Sequence, residues 1–274
     1  MDRLNRPSRW GDPIMVPLAA VVMGRIVRPD DGPARAVALR HAAIHGRPGL
    51  WGDDPDRPSS VAWLREGDDG QWEAFGAGDA GPALDWIAAR AGGRPVALMA
   101  PPSWEGPVLA RAGRLDRATV LTWSRPDSPP ARPGPVGARR LGLDDAPAFE
   151  ALAPRWALRS WGGFGPMIER GAAFGVPSPG GLAASAWIYE SDDRTDKIGV
   201  ATAARARRLG LGFSAASALL DHVLRDRRQR LLWTTHAGNP ASIGLARALG
   251  FSGPVAETLL RWTPSASRIA IGEI

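Results

Sequence analysis

The segment Arg207-Arg208-Leu209-Gly210-Leu211-Gly212 sets two guanidinium groups and two glycines between a strand pattern and a helix pattern. Glycine lets the backbone pass very close to a ligand, and the free N–H groups of a helix start favour an anion. Arg207 and Arg208 add formal charge at the mouth, so the segment reads as a pyrophosphate cradle. Three other constructions use similar residues. A phosphate loop needs Gly-Lys-Ser/Thr, which this sequence does not contain. A dinucleotide fingerprint would read Gly210-x-Gly212-x-x-Ala215, directly after its strand and with an acid about 20 residues on. Here Ala204 to Leu209 intervene, and the next strand ends Trp233-Thr234-Thr235-His236 with no acid. A nucleophile elbow would use Gly212-Phe213-Ser214-Ala215-Ala216 with His222 or His236 as base. Ser214, however, falls inside the helix turn that the cradle requires.

The elements around the cradle follow from the pattern on either side. Arg139 to Leu143 reads as a short strand, and Asp144 caps a helix running through Phe149 and Leu152. Leu182 to Tyr189 and Lys197 to Ala204 form a hairpin about the polar turn Ser191 to Asp196. A helix runs from about Phe213 to Arg228, followed by a strand at Leu231 to Thr235. Asn239 caps the next helix with Pro240 at its first position, Gly250 ends it, and Val255 to Trp262 is the last strand.

Earlier in the chain the pattern is mixed α/β. Val21 to Val27, Ala36 to Leu39, Val96 to Ala100 and Val120 to Trp123 read as strands, and Ala83 to Ala91 has helical spacing. Trp51, Trp63, Trp72, Trp86, Trp104 and Trp123 read as core and surface filler. His41 and His45 are spaced to share a helix face, with no third ligand at a metal-like distance, so no metal is expected. Arg125 to Gly137 holds five prolines in thirteen residues, which suits a semi-rigid linker or an extended arm. The expected organisation is therefore an α/β region over 1–124, a linker over 125–137 and a second unit over 138–274. No period of 20–50 residues is evident.

Across 274 residues, 44% are hydrophobic and 23% charged, a globular composition. Cysteine is absent, which excludes disulfides, a Cys nucleophile and thiolate metal sites. The apolar run Ile14 to Gly24 is broken by Pro17 and ended by Arg25; it reads as a buried strand rather than a leader, and the expected location is cytoplasmic. The net charge is +6, with a single lysine, Lys197. Arg205, Arg207, Arg208, Arg225, Arg227, Arg228 and Arg230 lie close in sequence, which suggests a phosphate-bearing partner. Nucleic acid is disfavoured, because the aromatic interleaving of a single-strand binder is missing there.

Arg207-x-x-Gly210-x-Gly212 resembles the acyl-CoA pyrophosphate motif of the GNAT N-acetyltransferases. Lys197-Ile198-Gly199-Val200-Ala201-Thr202-Ala203 is similar to that family's fourth strand. Asn239-Pro240-Ala241-Ser242 through Leu249-Gly250-Phe251 is similar to its Asn-x-x-Ser…Leu-Gly-Phe motif, and Arg139-Arg140-Leu141…Asp144 to its opening strand and helix. The resemblance covers about residues 138–265. The whole chain more loosely resembles a bacterial GNAT subgroup with an extra N-terminal α/β region, through Gly24-Arg25-Ile26-Val27…Asp30-Asp31 and Trp233…Asn239.

That resemblance implies an α/β fold: a mixed, mostly antiparallel sheet with splayed central strands flanked by helices, preceded here by a smaller α/β region. It implies acetyl-CoA as acyl donor and an amine-bearing acceptor attacking the thioester directly. Ala201, Thr202 and Ala203 would hold the pantetheine arm, Arg207, Arg208, Leu209, Gly210, Leu211, Gly212 and Phe213 the pyrophosphate, with Asn239 and Ser242 on the other side. A side chain at Gly212 is expected to block the phosphates with little loss of folding. The sequence departs from the family at Ala246, where a proton-donating tyrosine is common. Glu190 and His236 are the foremost candidates for proton work, ahead of Glu169 and Ser242. Their ordinary structural roles would be a solvated hairpin carboxylate for Glu190 and a strand-end polar residue for His236. The expected activity is acetyl-CoA-dependent N-acetyltransfer. The alternatives are an acyl-CoA-binding protein without turnover and, behind it, a nucleic-acid-binding protein.

Overall fold

The computed structural model describes residues 27, 32–54, 57–67, 70–125, 137–227 and 229–264. The expected strand at Val21 to Val27 and the proline-rich segment lie almost wholly outside these residues.

The first part contains α1 (Pro33–Ile44), β1 (Leu50–Gly52), β2 (Ser60–Glu66), β3 (Trp72–Gly78), α2 (Ala80–Ala91), β4 (Val96–Met99), a 3-10 turn ending at Trp104, α3 (Glu105–Arg111) and β5 (Ala112–Arg125). The strand expected at Ala36 to Leu39 is the middle of α1. Alanines at 34, 36, 38, 42 and 43 favour the helix, Pro33 is pre-set for its first turn, and a short apolar run cannot be assigned by periodicity alone. Gly32, at φ 107°, turns the chain into this helix, and the Glu257 carboxylate accepts the otherwise orphan N–H groups of Ala34 (3.1 Å) and Arg35 (3.4 Å).

The second part holds β6 (Arg139–Arg140), α4 (Ala146–Leu152), α5 (Trp156–Arg159), α6 (Phe164–Arg170), β7 (Ala173–Ser178), β8 (Gly181–Ser191), β9 (Thr195–Thr202), α7 (Leu211–His222), β10 (Arg230–His236), α8 (Pro240–Ala248) and β11 (Ser252–Pro264). The hairpin, both cradle-flanking helices and the last strand fall where the residue pattern puts them. Helix α7 closes in a π turn over Val223–Arg227.

The eleven strands among the described residues form one mixed, mostly antiparallel sheet in the order β1-β2-β3-β4-β11-β5-β10-β9-β8-β7-β6. The two parts repeat one another in connectivity. In each, three antiparallel strands (β1-β2-β3, β7-β8-β9) lead to a helix (α2, α7), a strand parallel to the third (β4, β10), a helix and a long last strand. The last strands are exchanged: β11 pairs with β4, β5 pairs with β10, and the two are antiparallel neighbours at the centre. The core follows this arrangement. Helix α1 covers one face of the first part over Val61, Trp63 and Phe75, while α2 covers the other over Leu64, Val96, Leu98 and Trp262. Phe149, Trp187, Leu219 and Trp233 centre the core of the second part.

Candidate functional site

Strands β9 and β10 pair in parallel only from Thr195 and Arg230 up to Ile198 and Trp233. Beyond that point β9 continues to Thr202 on β8, with Ala201 opposite Ser185 and Thr202 opposite Ala184, while β10 continues to His236 on β5. The two strands diverge, and the backbone at Ala201, Thr202 and Ala203, all half-buried, has no partner strand on that side among the described residues.

The chain then turns through Ala204–Ala206 into the cradle. Arg208 has φ 63°, the one non-glycine residue with positive φ among the described residues, and Gly210 follows at φ 76°. Left-handed residues in a turn before a helix are conformations from which backbone N–H groups build anion-binding concavities, and strain of this kind concentrates at functional sites. The first bond of α7 runs from the Ser214 N–H to Gly210 O (3.0 Å), so the N–H groups of Leu211, Gly212 and Phe213 precede the helical ladder. Arg207, Arg208, Leu209 and Gly210 are exposed, whereas Gly212 is buried against β9. A Cβ at Gly212 would lie 2.7 Å from Thr202 Oγ1, so the expectation of a harmless side chain there is corrected. This glycine lets the helix close on the strand. Ser214 Oγ bonds back to Gly210 O (3.2 Å) inside the helix, which is no place for a nucleophile.

Asn239 Oδ1 accepts the Ser242 N–H (3.1 Å) and caps α8, and Ser242 Oγ accepts the Trp233 indole N–H (2.9 Å). Both residues flank the diverging strands from the β10 side. The arginine cluster, by contrast, is dispersed by its partners. Arg227 grips Asp196 through Nε (2.8 Å) and Nη2 (3.1 Å), and Arg225 pairs with Asp221 (2.6 Å).

Glu190 is fully buried, which corrects its reading as a solvated hairpin residue. One carboxylate oxygen meets Lys197 Nζ at 2.5 Å and the other meets Arg65 at 2.8 Å. Burial pushes its pKa up, but Lys197 and Arg65 outweigh that and hold it below the ordinary carboxylate range. Lys197 is kept charged in turn and also donates to Ala34 O (3.1 Å). Tyr189, at a register shift in β8, stands over Lys197 with its ring 5.0 Å away and bonds Thr234 at the divergence. His41 bridges α1 to this cluster: Nε2 faces only Ser160 O (2.9 Å) and must donate, leaving Nδ1 to accept from the Ser191 N–H (3.0 Å). Burial lowers its pKa to about 4. Sequence reading missed Arg65 and His41. The one available signal was the opposite charge of Glu190 and Lys197 across the hairpin.

Residues 137–252 match the family model of the acetyltransferase (GNAT) domain. That segment of the chain is similar to the GNAT acetyltransferase domain. Several solved structures share its fold. A GCN5-related N-acetyltransferase-like protein from Streptococcus suis 89/1591 superimposes with a TM-score of 0.68 at 19% identity, over 89% of this chain and 99% of that one. A GCN5-related N-acetyltransferase from Kribbella flavida gives 0.59 at 18% identity, over 85% and 96%. A tandem GNAT protein from the clavulanic acid biosynthesis pathway gives 0.55 at 14% identity, over 84% and 87%. None of the curated proteins matches the sequence.

Within the matched segment, Ala246 is fully buried in the core. His236, exposed at the end of β10, lies on the diverging stretch; partial desolvation and Arg261 lower its pKa. Glu169 is exposed on α6. Strand β5, which lies between β10 and β11, comes from outside the matched segment.

Proposed function

We propose that the protein is an acetyl-CoA-dependent N-acetyltransferase that acylates the amine of a small acceptor. The observation that carries this reading is the paired left-handed residues Arg208 and Gly210 at the start of α7, beside two parallel strands that part after Ile198 and Trp233. Acetyl-CoA supplies an activated acetyl thioester. The N–H groups from Arg208 to Phe213, with the Arg207 and Arg208 guanidinium groups, hold its pyrophosphate, and the unpaired edge at Ala201, Thr202 and Ala203 holds the pantetheine arm. Asn239 and Ser242 close the opposite wall through the α8 cap. His236 accepts the proton that the acceptor amine must lose, since an ordinary alkylamine is protonated near pH 7. Glu190, committed to Lys197 and Arg65, positions the strands and exchanges no proton with solvent. In this division of labour residues 138–264 form the donor side and the first part walls the acceptor side.

Calorimetric titration with acetyl-CoA and thiol release across a panel of amines test the reading. Saturable binding with turnover on at least one amine is expected; no binding overturns it. The buried Ala246 favours a second reading, acyl-CoA binding without turnover, which would appear as saturable binding with no thiol release on any amine.

A further inference from the structure

Three successive carbonyls at the end of α5 and just beyond it are each held by a side chain of the first part. Arg47 Nη2 donates to Arg159 O (3.3 Å), His41 Nε2 to Ser160 O (2.9 Å) and Arg47 Nη1 to Trp161 O (2.9 Å). Arg65 adds a bond to Ser160 Oγ (2.8 Å). Gly162, at φ 83°, lets the guanidinium come this close, since a Cβ there would lie 2.7 Å from Arg47 Nη1. Burial lowers the pKa of Arg47 below the usual arginine value, so the grip is kept against desolvation. Helix α5 is a single turn, too short to hold its place by its own hydrogen bonds.

We propose that Arg47 and His41 are positioning residues that hold Trp156, at the start of α5, as a wall of the acceptor site. The Trp156 ring lies 5.3 Å from that of Tyr189, edge to face, and 6.1 Å from that of Trp187. Trp187 in turn covers Gly199, the first residue of β9 beyond its pairing with β10; a Cβ on Gly199 would lie 2.7 Å from the ring. Trp187 and Tyr189 are buried while Trp156 keeps exposed surface, so Trp156 is the outermost ring of the three. Neighbouring residues of a strand face opposite ways. The ring over Gly199 is therefore on the face opposite Val200 and Thr202, against which Gly212 of α7 packs. With the pyrophosphate at the start of α7, the donor enters on the α7 face. The Trp156 face is left for the amine that attacks the thioester. This assignment of faces rests on the acetyl-transfer reading, whereas the grip on residues 159–161 does not.

The test uses the full-length protein and the amine of highest turnover among tyramine, spermidine, glucosamine and lysine. Arg47→Met removes two of the three grips and keeps an apolar stem. It should raise the KM for the amine about tenfold, leave the calorimetric Kd for acetyl-CoA unchanged and speed amide hydrogen exchange across 159–163. Trp156→Ala should raise the same KM by a similar factor. The double variant should be no worse than Trp156→Ala alone, because Arg47 acts through that ring. If Arg47→Met does not fold, Arg47→Lys reaches only one carbonyl and should give the same pattern at smaller size. Multiplying losses in the double variant, or exchange across 159–163 unchanged in the Arg47 variant, overturns the proposal. Turnover with an unchanged amine KM in both single variants overturns it alone; a wild-type protein that binds acetyl-CoA and releases no thiol on any amine overturns the acetyl-transfer reading.

Discussion

The two parts of the sheet share a connectivity and differ where it matters for binding. In both, the parallel pairing stops before the third strand ends: β3 is paired with β4 only through Phe75 and Met99, where β4 ends, and β9 with β10 only through Ile198 and Trp233, beyond which both strands continue. In the first part the gap is filled. The fully buried Trp104 ring packs where a Cβ on Gly76 would overlap it, and its indole N–H donates to Gly78 O (2.7 Å). Helix α2 then begins at Asp79, whose carboxylate already complements the helix dipole. In the second part no tryptophan enters, and α7 begins from Gly210 with Arg208 in left-handed conformation. An early end to the parallel pairing is thus common to both parts, while the left-handed turn is a property of a few residues at one helix start.

Four experiments bear on this comparison, the first with the largest expected effect. A chain reduced to residues 137–274 loses β5, which pairs with both β10 and β11, and so exposes two long strand edges. It should give no cooperative unfolding transition and should aggregate in size-exclusion chromatography. A monomeric, cooperatively folding fragment would mean the exchanged strands are dispensable. Trp104→Ala should lower folding stability by about 3–5 kcal/mol in urea titrations, the cost of a large buried cavity. It should leave acetyl-CoA stoichiometry at one per chain, because no cradle faces the opened gap; a second binding event would erase the distinction between the parts.

His41 tests the seam between them. Its pKa is lowered to about 4 from 6.5, so the folded state binds fewer protons than the unfolded state between those values. The associated stability is complete above pH 6.5, falls as pH drops toward 4 and changes no further below it. By pH 4.5 the loss from this group is about 2–3 kcal/mol. His41→Gln can make both hydrogen bonds without titrating, so the stability difference between pH 7 and pH 4.5 should shrink by about that amount. An unchanged difference would assign the acid sensitivity to other groups.

Gly210→Val places a β-branched residue at φ 76° and should weaken acetyl-CoA binding by about tenfold, or 1.4 kcal/mol, while Asp79→Ala at the matching helix start should change it little. Comparable losses in both variants would show that the first part contributes to donor binding.

Much of the second part was legible because its signals are local. The hairpin around Ser191 to Asp196, the Asn239 cap with Pro240, and the glycines of the cradle each report on a few neighbouring residues, and the structure has them there. The effect of a side chain at Gly212 was misjudged, since its contact with Thr202 crosses from helix to strand. Helix α1 was misread because a compact apolar stretch fits a buried strand and a buried helix alike. Glu190 looked solvated because residues that pack around it, Arg65 and His41, lie 125 and 149 positions earlier.

By itself, the sequence determined the order of elements from Leu182 onward but gave none of α5, α6 and β7, because caps, glycine conformations and hydrophobic periods act over a turn or two of chain. Tertiary structure alone decided that β5 enters the other part's sheet, that Trp104 closes one gap while its counterpart stays open, and that Arg47 and His41 reach the carbonyls of residues 159–161. Those outcomes depend on burial and strand pairing between segments far apart in the chain, and no local pattern encodes which distant edge or charge a residue will meet.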